Sequence, residues 1–341
     1  MNTVRDVLPQ LLEGRDLTED QARAAMAAIM SGECTEAQIG AFLAATRMKG
    51  ETDQEIAGFV QVMRENVLRI PCTSGGVVDT CGTGGDGVDT FNISTTAAFI
   101  AAGAGVRVAK HGNRAVSSQC GSADVLKALG VNIEAPPELV GRCVDEVGIG
   151  FLFAPLLHPA MKHAIGPRKE MGVRTVFNVL GPLTNPAGAR RQLVGVFSGE
   201  FVPKVAGALA RLDVEQALVV HGECGMDEIS TLEPTIVAIV RGETVTRSTW
   251  TPEDFGVPRR EAQELLGGSP EESAAILRRI LDGGDGACTD IALINAAAAI
   301  IVAGLADEPA EAMEQARQSV RSGAAAGKLS ELVDMASGAG P

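Results

Sequence analysis

The chain reads Asp79-Thr80-Cys81-Gly82-Thr83-Gly84-Gly85-Asp86-Gly87-Val88-Asp89-Thr90-Phe91-Asn92-Ile93-Ser94-Thr95 across the stretch that decides its fold. An apolar pair, Val77-Val78, precedes the glycines, and a small-residue run from Thr96 to Ala102 follows them. This order predicts a strand, a glycine-rich turn and the start of a helix. Four glycines within six positions let backbone N–H groups converge beside a helix N-terminus, which favours an anion such as phosphate. A plain surface turn is the alternative.

The spacing of these glycines differs from two well-known phosphate-binding patterns. A P-loop requires Lys followed by Ser or Thr after its last glycine, whereas Asp86 follows Gly85. The dinucleotide pattern G-x-G-x-x-G fits only Gly82, Gly84 and Gly87, and it would place Asp86 inside the turn, beside a pyrophosphate. An acid there suits a metal ion or a sugar hydroxyl. The sequence therefore predicts a ligand that carries a phosphate, a metal and a polyol.

Length and charge limit the class of protein. A chain of 341 residues can bury a large core and predicts about two domains. Its 29 basic and 43 acidic residues give a formal net charge of -14, which disfavours binding to nucleic acid or to an anionic membrane. A small anionic substrate therefore requires a local cluster of Lys, Arg and backbone N–H groups.

The cysteines and the apolar runs indicate a cytoplasmic protein. The seven cysteines are an odd number without a C-x-x-C pair, so we expect reduced thiols. The first residues lack the apolar core of a signal peptide. The most apolar run, from Ile291 to Ala306, is short, rich in alanine and interrupted by Asn295, which predicts a buried helix rather than a membrane span.

The N-terminal part of the chain has a helical pattern with a repeated start signal. Three segments have the form of a capping box, namely Thr18-x-x-Gln21, Thr35-x-x-Gln38 and Thr52-x-x-Glu55. Gly32 and Gly50 fall where the preceding helices are expected to end. We expect one apolar stripe to face inward or toward a partner subunit, that of Ile39, Phe42, Leu43 and Met48.

The pattern changes after a segment rich in Pro, Ser and Gly, residues 71–76, which predicts a hinge. Short β-branched runs then alternate with helical patterns, at Val77-Val78, Val106-Arg107-Val108, Ile149 to Phe153, Leu193 to Phe197 and Ala217 to Val220. This alternation predicts an α/β domain with a mostly parallel sheet. Residues 236–246 predict a hairpin at one side of it, and helices from about Pro270 to Ala336 end the chain.

Further polar blocks follow the glycine stretch in a fixed order. They are Lys110-His111-Gly112-Asn113-Arg114-Ala115-Val116-Ser117-Ser118-Gln119-Cys120-Gly121-Ser122, Phe177-Asn178-x-x-Gly181-Pro182-Leu183-Thr184-Asn185-Pro186 and Asp227-Glu228. With Gly82 to Asp86 and Asn92 to Thr95, these blocks make the chain resemble the anthranilate phosphoribosyltransferase family. The blocks span most of the chain, and their order is a specific signal where one glycine motif would be weak.

The resemblance implies both a fold and a reaction. The fold has a small N-terminal all-helical domain, residues 1–72, joined by a helical piece near residues 159–185. A larger α/β domain with a mostly parallel sheet, residues 73–341, is of the nucleoside phosphorylase and phosphoribosyltransferase type. The reaction transfers the 5-phosphoribosyl group from 5-phosphoribosyl 1-diphosphate (PRPP) to the amine of anthranilate. It gives N-(5-phosphoribosyl)anthranilate and pyrophosphate in tryptophan biosynthesis, and the family habit is a homodimer.

The resemblance also assigns residues to the two substrates and to the metal. PRPP is expected at Gly82, Gly84, Gly85, Asp86, Thr90, Asn92, Ile93, Ser94, Thr95, Lys110, His111, Gly112, Asn113, Arg114, Ala115, Val116, Ser117, Ser118 and Ser122. Anthranilate is expected at Gly82, Asn113, Arg168, His111, His158, Gly181 and Pro182, with the guanidinium of Arg168 on its carboxylate. Mg²⁺, as two ions with the diphosphate, is expected at Ser94, Asp227 and Glu228, because this ion prefers oxygen ligands.

Two features depart from the family pattern, and two other functions compete with it. Gln119-Cys120 stand where a lysine and a serine are expected, so one positive charge is missing near the phosphate loop, and the chain contains no tyrosine. A pyrimidine-nucleoside phosphorylase would share the architecture, but it is expected to lack the Asn178 to Pro186 block and the Asp227-Glu228 pair. A non-catalytic relative that binds nucleic acid is expected to be basic, unlike this acidic chain. Histidine spacing gives no zinc motif.

Overall fold

A computed structural model describes residues 4–73, 75–85, 87–115 and 119–338. Among the predicted site residues, Asp86, Val116, Ser117 and Ser118 lie outside these ranges. The chain begins with four helices, α1 (Val4–Leu12), α2 (Glu19–Met30), α3 (Glu36–Lys49) and α4 (Asp53–Glu65). They enclose an apolar core in which Ile39, Phe42 and Leu43 are buried.

The capping boxes predicted for α2, α3 and α4 are confirmed. Thr18, Thr35 and Thr52 each accept a hydrogen bond from the backbone N–H three residues later. The Gln or Glu at that position returns a bond to the backbone of the threonine, so early helix donors are satisfied. Met48, in contrast, is 87% exposed and does not share the inward face of α3. It lies nine residues from Ile39, which is half a turn off that face at 100° per residue.

The rest of the chain builds one seven-stranded sheet. Its strands are β1 (Val78–Thr80), β2 (Val108–Gly112), β3 (Ile149–Phe153), β4 (Arg191–Gly195), β5 (Gln216–Gly222), β6 (Thr235–Arg241) and β7 (Thr244–Trp250). Their order across the sheet is β3-β2-β1-β4-β5-β6-β7. The first five are parallel, and β6 and β7 form the predicted antiparallel hairpin. The expected α/β fold with a mostly parallel sheet is confirmed.

Helices cover the sheet and connect its strands. Between β1 and β5 they are α5 (Ile93–Gly103), α6 (Ser122–Ala128), α7 (Pro137–Arg142), α8 (Ala154–Leu157), α9 (Lys162–Met171), α10 (Val176–Leu180) and α11 (Phe201–Ala210). After β7 they are α12 (Pro270–Leu281), α13 (Ala287–Ala303), α14 (Pro309–Arg321) and α15 (Ala324–Ala336). Every helix in the described ranges falls short of the length and apolarity that a bilayer crossing requires.

Two large apolar cores and a small third one, which contains Ile70, Ala109 and Leu152, lie within the described residues. The larger core packs α5 and the buried helix α13 against the sheet. The second large core joins α1 to α4 with α11, and it includes Ala164 of α9 and Phe177 of α10. The segment between β3 and β4 therefore packs on the N-terminal helices, where Arg64 of α4 donates to the carbonyl of Leu183 at 2.9 Å. All seven cysteines are free thiols.

Candidate active site

The glycine-rich loop lies at the point where the strand order of the sheet reverses. Strand β1 has β2 on one side and β4 on the other, so the chain leaves β1 and β4 in different directions. Ligands of open α/β sheets bind in the crevice beyond the carboxyl ends of such strands. Thr83 spans this crevice, because its N–H donates to the carbonyl of Gly195 at 2.9 Å and its hydroxyl accepts from the N–H of Phe197 at 3.0 Å.

The glycines permit a close approach between this loop and Asp227. Gly84 and Gly85 adopt φ values of +63° and +71°, which other residues rarely adopt. A Cβ atom on Gly82 would lie 2.4 Å from Oδ2 of Asp227. The N–H of Gly84 donates to that same oxygen at 2.7 Å. One donor of the predicted phosphate nest thus holds a carboxylate in this structure.

The loop that carries Asp227 and Glu228 is irregular, as the sharing of a metal by adjacent carboxylates requires. It is fixed to the core by Asn295 of α13, which accepts from the N–H of Ile229 at 3.0 Å and donates to its carbonyl at 2.9 Å. Burial raises the pKa of the Asp227 carboxyl, and the hydrogen bond from Gly84 acts against this shift. A Cβ atom on Gly195 would lie 1.5 Å from the carbonyl oxygen of Asp227, so β4 needs glycine there.

The N-terminus of α5 carries no side-chain cap within the described part of the chain. Asn92, at the capping position, instead donates to the carbonyl of Cys120 at 3.1 Å, and the thiol of Cys120 donates to its Oδ1 at 3.3 Å. The hydroxyl of Thr95 is buried and has no partner among the described residues. Uncapped N–H groups and an unpaired hydroxyl at a helix N-terminus suit an anion. Ile93 is buried beside them, and Thr90 forms a β-bridge with Leu266.

Lys110 is buried in the middle of β2 and joins the last residue of β1 to α5. Its ammonium donates to the carbonyl of Thr80 at 2.7 Å and to the hydroxyl of Ser94 at 3.2 Å. Burial lowers the pKa of Lys110, while nearby anionic groups, among them Asp227 and Glu228, act in the opposite direction. The Lys110 ammonium thus contacts Ser94 directly, and Asp227 and Glu228 act on it electrostatically.

The loop after β2 folds back on α6. Gly112 allows this, because a Cβ atom there would lie 2.3 Å from the hydroxyl of Ser122. The carbonyl of Asn113 accepts from that hydroxyl at 3.2 Å. Asp124, at the start of α6, accepts from the N–H of Ala115 at 3.0 Å. The guanidinium of Arg114 lies 3.8 Å from Asp124 and 5.6 Å from the ring centroid of Phe153.

His111 and His158 form a direct pair whose hydrogen bonds fix both tautomers. Nδ1 of His111 lies 3.2 Å from the carbonyl of Gly181, which can only accept, so Nδ1 carries the proton. The Nε2 atoms of the two rings are 3.1 Å apart, so His158 donates and His111 accepts. Nδ1 of His158 is then unprotonated. Burial lowers the pKa of His111 to about 3 and that of His158 to about 4, so both rings are neutral near pH 7.

Asp79 contacts the histidine pair through the backbone of His111. One of its oxygens accepts from the backbone N–H of His111 at 3.0 Å and the other from Asn185 at 2.7 Å. Burial raises the pKa of the Asp79 carboxyl to about 6. Asp79, Cys81 and His111 bring ligand-type atoms within 4.8 Å of one another, yet Asp79 and His111 already use these groups in internal hydrogen bonds.

Arg168 and Pro182 lie in the segment that packs on the N-terminal helices. The guanidinium of Arg168 stands over the ring of Phe177 at 5.2 Å, and burial lowers its pKa. Pro182 follows Gly181, and its carbonyl accepts from Gln192 at 2.8 Å. The structure therefore gathers His111, His158 and Gly181 by direct contact and places Arg168 beside the helix that leads to Gly181.

Comparison with known proteins identifies the family of the chain over nearly its full length. Residues 74–326 match the profile "Glycosyl transferase family, a/b domain", and residues 5–67 match its helical bundle domain. An anthranilate phosphoribosyltransferase of Anaeromyxobacter sp. (strain K) is 55% identical over 330 residues, which cover 97% of this chain and 98% of the relative. The chain belongs to the anthranilate phosphoribosyltransferase family.

Solved structures of the family share the fold. The anthranilate phosphoribosyltransferase of Thermus thermophilus superposes with a TM-score of 0.91 at 43% identity, over 97% of this chain and 99% of that one. The enzyme of Saccharomyces cerevisiae in complex with PRPP and Mg gives 0.89 at 28% identity, over 98% of both chains. Its complex with 4-fluoroanthranilate gives 0.88 at 27% identity over the same shares.

Sequence reasoning missed several residues that shape this candidate site. Asn295 holds the loop that carries Asp227 and Glu228, and Asp124 holds the loop after β2. Arg174 lies against Gly85 of the glycine-rich loop, with its guanidinium 4.6 Å from the ring centroid of Phe197. A buried Asn in an alanine-rich helix was a usable signal, because an amide there needs partners. Arg174 gave no signal of its own, since it resembles any exposed arginine of a basic segment.

Proposed function

We propose that this chain transfers the 5-phosphoribosyl group of PRPP to the amine of anthranilate and releases pyrophosphate, a step of tryptophan biosynthesis. One observation supports it above the others. The crevice between β1 and β4 gathers the glycine loop, the uncapped end of α5, Lys110 and two carboxylates. The full-length similarity to anthranilate phosphoribosyltransferases favours this reaction over phosphorolysis of a pyrimidine nucleoside.

The donor substrate binds at the carboxyl ends of β1 and β2. Its phosphates meet the N–H groups at the start of α5, the hydroxyl of Thr95 and the loop that follows Lys110. The further PRPP contacts are Gly82, Gly84, Gly85, Thr90, Asn92, Ile93, Ser94, His111, Gly112, Asn113, Arg114, Ala115 and Ser122. These groups neutralise charge that develops on the departing pyrophosphate, and the chain supplies them locally despite its net charge of -14.

The residues predicted to hold Mg²⁺ fit a hard cation. Ser94, Asp227 and Glu228 offer only oxygen atoms, and the two carboxylates act electrostatically on the same ammonium that the Ser94 hydroxyl contacts. Asn295 fixes the carboxylate loop, so these oxygens are held in place before a ligand arrives. When bound, Mg²⁺ neutralises charge on the diphosphate oxygens.

Anthranilate binds on the opposite wall of the cleft. Arg168 meets its carboxylate through charge-assisted hydrogen bonds, and the stacking on Phe177 orients the guanidinium. His158, His111, Asn113, Gly181, Pro182 and Gly82 line the space around the ring and the amine. Nδ1 of His158 is unprotonated and, unlike Nε2 of His111, takes no part in the bond between the two rings, so it can accept a hydrogen bond from the amine. An aromatic amine is already nucleophilic, so its position behind C1 matters more than a strong base.

We also propose the domain boundaries, the oligomeric state and the cellular location of the chain. Residues 1–72 with the 159–185 piece form the helical domain, residues 73–341 the α/β domain, and the protein is a cytoplasmic homodimer. Leu12, Met48 and Ile165 are exposed on α1, α3 and α9, which pack side by side, so they give a dimer an apolar face. Sedimentation is expected to show a dimer that Met48→Glu dissociates and Leu305→Glu does not. A parent protein that stays monomeric at high concentration would exclude this contact.

The decisive test of the reaction is anthranilate fluorescence. It is expected to fall when PRPP and Mg²⁺ are both present and to stay constant when either is withheld. Uridine with inorganic phosphate serves as the control for the nucleoside phosphorylase alternative, and no uracil is expected. Release of uracil, with anthranilate unconsumed, would overturn the proposed reaction.

A further inference from the structure

Arg174 occupies an unusual position between the two halves of the cleft. It lies in the short connection between α9 and α10, exposed to solvent, and its guanidinium stacks on Phe197 just beyond β4. A Cβ atom on Gly85 would lie 3.1 Å from one Nη atom of Arg174 and 3.2 Å from its Nε. The guanidinium edge therefore lies directly against the glycine-rich loop, and the absence of a side chain at position 85 makes room for it.

Two contacts restrain Arg174, one to its backbone carbonyl and one to its guanidinium, which stacks on the ring of Phe197. Arg47 of α3 donates a hydrogen bond to the carbonyl of Arg174, which ties it to the N-terminal helices. The N–H of Phe197 in turn donates to Thr83 of the glycine loop at 3.0 Å. When a guanidinium stacks on an aromatic face, its N–H donors point outward in the guanidinium plane. They remain free to donate to two oxygens of one phosphate group.

Two other cations near the crevice, Lys110 and Arg114, already have partners within the described part of the chain. Lys110 is buried and bonded to Thr80 and Ser94. Arg114 faces the carboxylates of Asp124 and Glu134, each at 3.8 Å. Gln119 stands where the family pattern led us to expect a lysine.

A diphosphate that reaches Gly84 and Gly85 would thus meet the exposed positive charge of Arg174 beside that loop. The charge of Arg174 already reaches the carboxylate of Asp227, on which it acts electrostatically.

We propose that Arg174 binds the pyrophosphate portion of the donor substrate, with its guanidinium closing over the glycine-rich loop. This inference rests on the proposed function, since it places the diphosphate of PRPP in that crevice. Because Arg174 belongs to the segment that also carries Arg168, the contact links occupancy of the donor site to the position of the acceptor wall. Arg174 is thereby a substrate-binding residue of the α9–α10 connection.

The test measures binding of pyrophosphate with Mg²⁺ by calorimetry, which does not depend on turnover or on the identity of the acceptor. Arg174→Gln is expected to weaken pyrophosphate binding roughly tenfold to a hundredfold, the loss typical of a hydrogen bond to a charged group. Arg174→Lys is expected to recover only part of this affinity, because an ammonium cannot make the bidentate contact. Arg142→Gln removes an exposed arginine of α7 that pairs with Glu146, and it controls for net charge.

Steady-state kinetics separate this role from a structural one. Arg174→Gln is expected to raise the KM for PRPP and to leave the KM for anthranilate near that of the parent. If Arg174→Gln does not fold by circular dichroism, Phe197→Leu removes the stacking partner instead and is expected to weaken pyrophosphate binding severalfold.

Parental pyrophosphate affinity in the folded Arg174 variant, or in Phe197→Leu where that variant replaces it, would overturn the inference. A parent that binds pyrophosphate but does not consume anthranilate would overturn the proposed reaction alone.

Discussion

The contact between Gly82 and Asp227 predicts a large effect from one methyl group. In Gly82→Ala the new Cβ would lie 2.4 Å from Oδ2 of Asp227, so the carboxylate must retreat by about 1 Å to reach ordinary van der Waals distance. That retreat breaks the 2.7 Å hydrogen bond from the N–H of Gly84. Hydrogen bonds to charged groups contribute about 1.5–3 kcal/mol. If the donor site loses this amount, kcat/KM for PRPP falls roughly tenfold to 150-fold.

The assay is the initial rate against PRPP and Mg²⁺ at saturating anthranilate. Gly327→Ala is the matched control, because a Cβ atom there meets nothing within 4 Å in α15, and the change is expected to stabilise that helix slightly. The double variant of Gly82→Ala with Asp227→Asn tests the cause, since two changes that act through one carboxylate are not additive. A Gly82→Ala enzyme with the parental rate and Mg²⁺ dependence would refute the reasoning.

Three further predictions concern the acceptor, the metal and pH. Arg168→Ala is expected to raise the anthranilate KM by the equivalent of about 1.5–3 kcal/mol, with little change in the KM for PRPP. Asp227→Asn with Glu228→Gln is expected to lower kcat roughly a hundredfold or more and to weaken the Mg²⁺ dependence. The pKa values of His158 and His111 are about 4 and 3 when folded, below about 6.5 when unfolded. The unfolded chain therefore binds more protons as pH falls below about 6.5, and each ring costs stability there.

Each of these predictions has its own control. An unchanged anthranilate KM in Arg168→Ala removes this arginine from the acceptor pocket. A folded double carboxylate variant with the parental Mg²⁺ curve means that the pair holds no metal. For pH, chemical denaturation of the parent between pH 6.5 and 5 is compared with His158→Gln, which is expected to lose about 1–2 kcal/mol less. Asp79 has the opposite sign, because its raised pKa favours a bound proton in the folded protein, but it is common to both proteins.

Local signals explain why much of the fold could be predicted. A capping threonine and its partner are three residues apart, so four consecutive residues are enough to predict where each of the helices α2 to α4 begins. Strand β1 and helix α5 flank a glycine cluster that ends one element and begins the next. Helix α5 begins at Ile93, whereas the sequence predicted a helical run from Thr96. The prediction started too late because the polar residues of the first turn have low helix propensity.

Contacts between distant segments explain what could not be predicted. Gly195 was part of a predicted strand, and a glycine inside a strand indicates close approach of another backbone, but nothing in the sequence identified that backbone as Asp227. The partnership of Arg174 with Gly85 and Phe197 likewise depends on how the α9–α10 connection returns across the sheet. Such pairings are set by topology, which periodicity and spacing do not encode.

The excursion between β3 and β4 suggests a route for engineering. Residues 154–185 carry Arg168, His158 and the Gly181 turn. They connect β3 to β4, which lie on opposite sides of β1 in the sheet. The residues proposed to bind Mg²⁺ and the uncapped start of α5 belong to other parts of the chain. A transplanted version of this excursion could thus present a different aromatic amine to an unaltered sugar donor. The graft must preserve the carbonyl of Gly181 that His111 contacts, since this bond joins the exchangeable part to the fixed one.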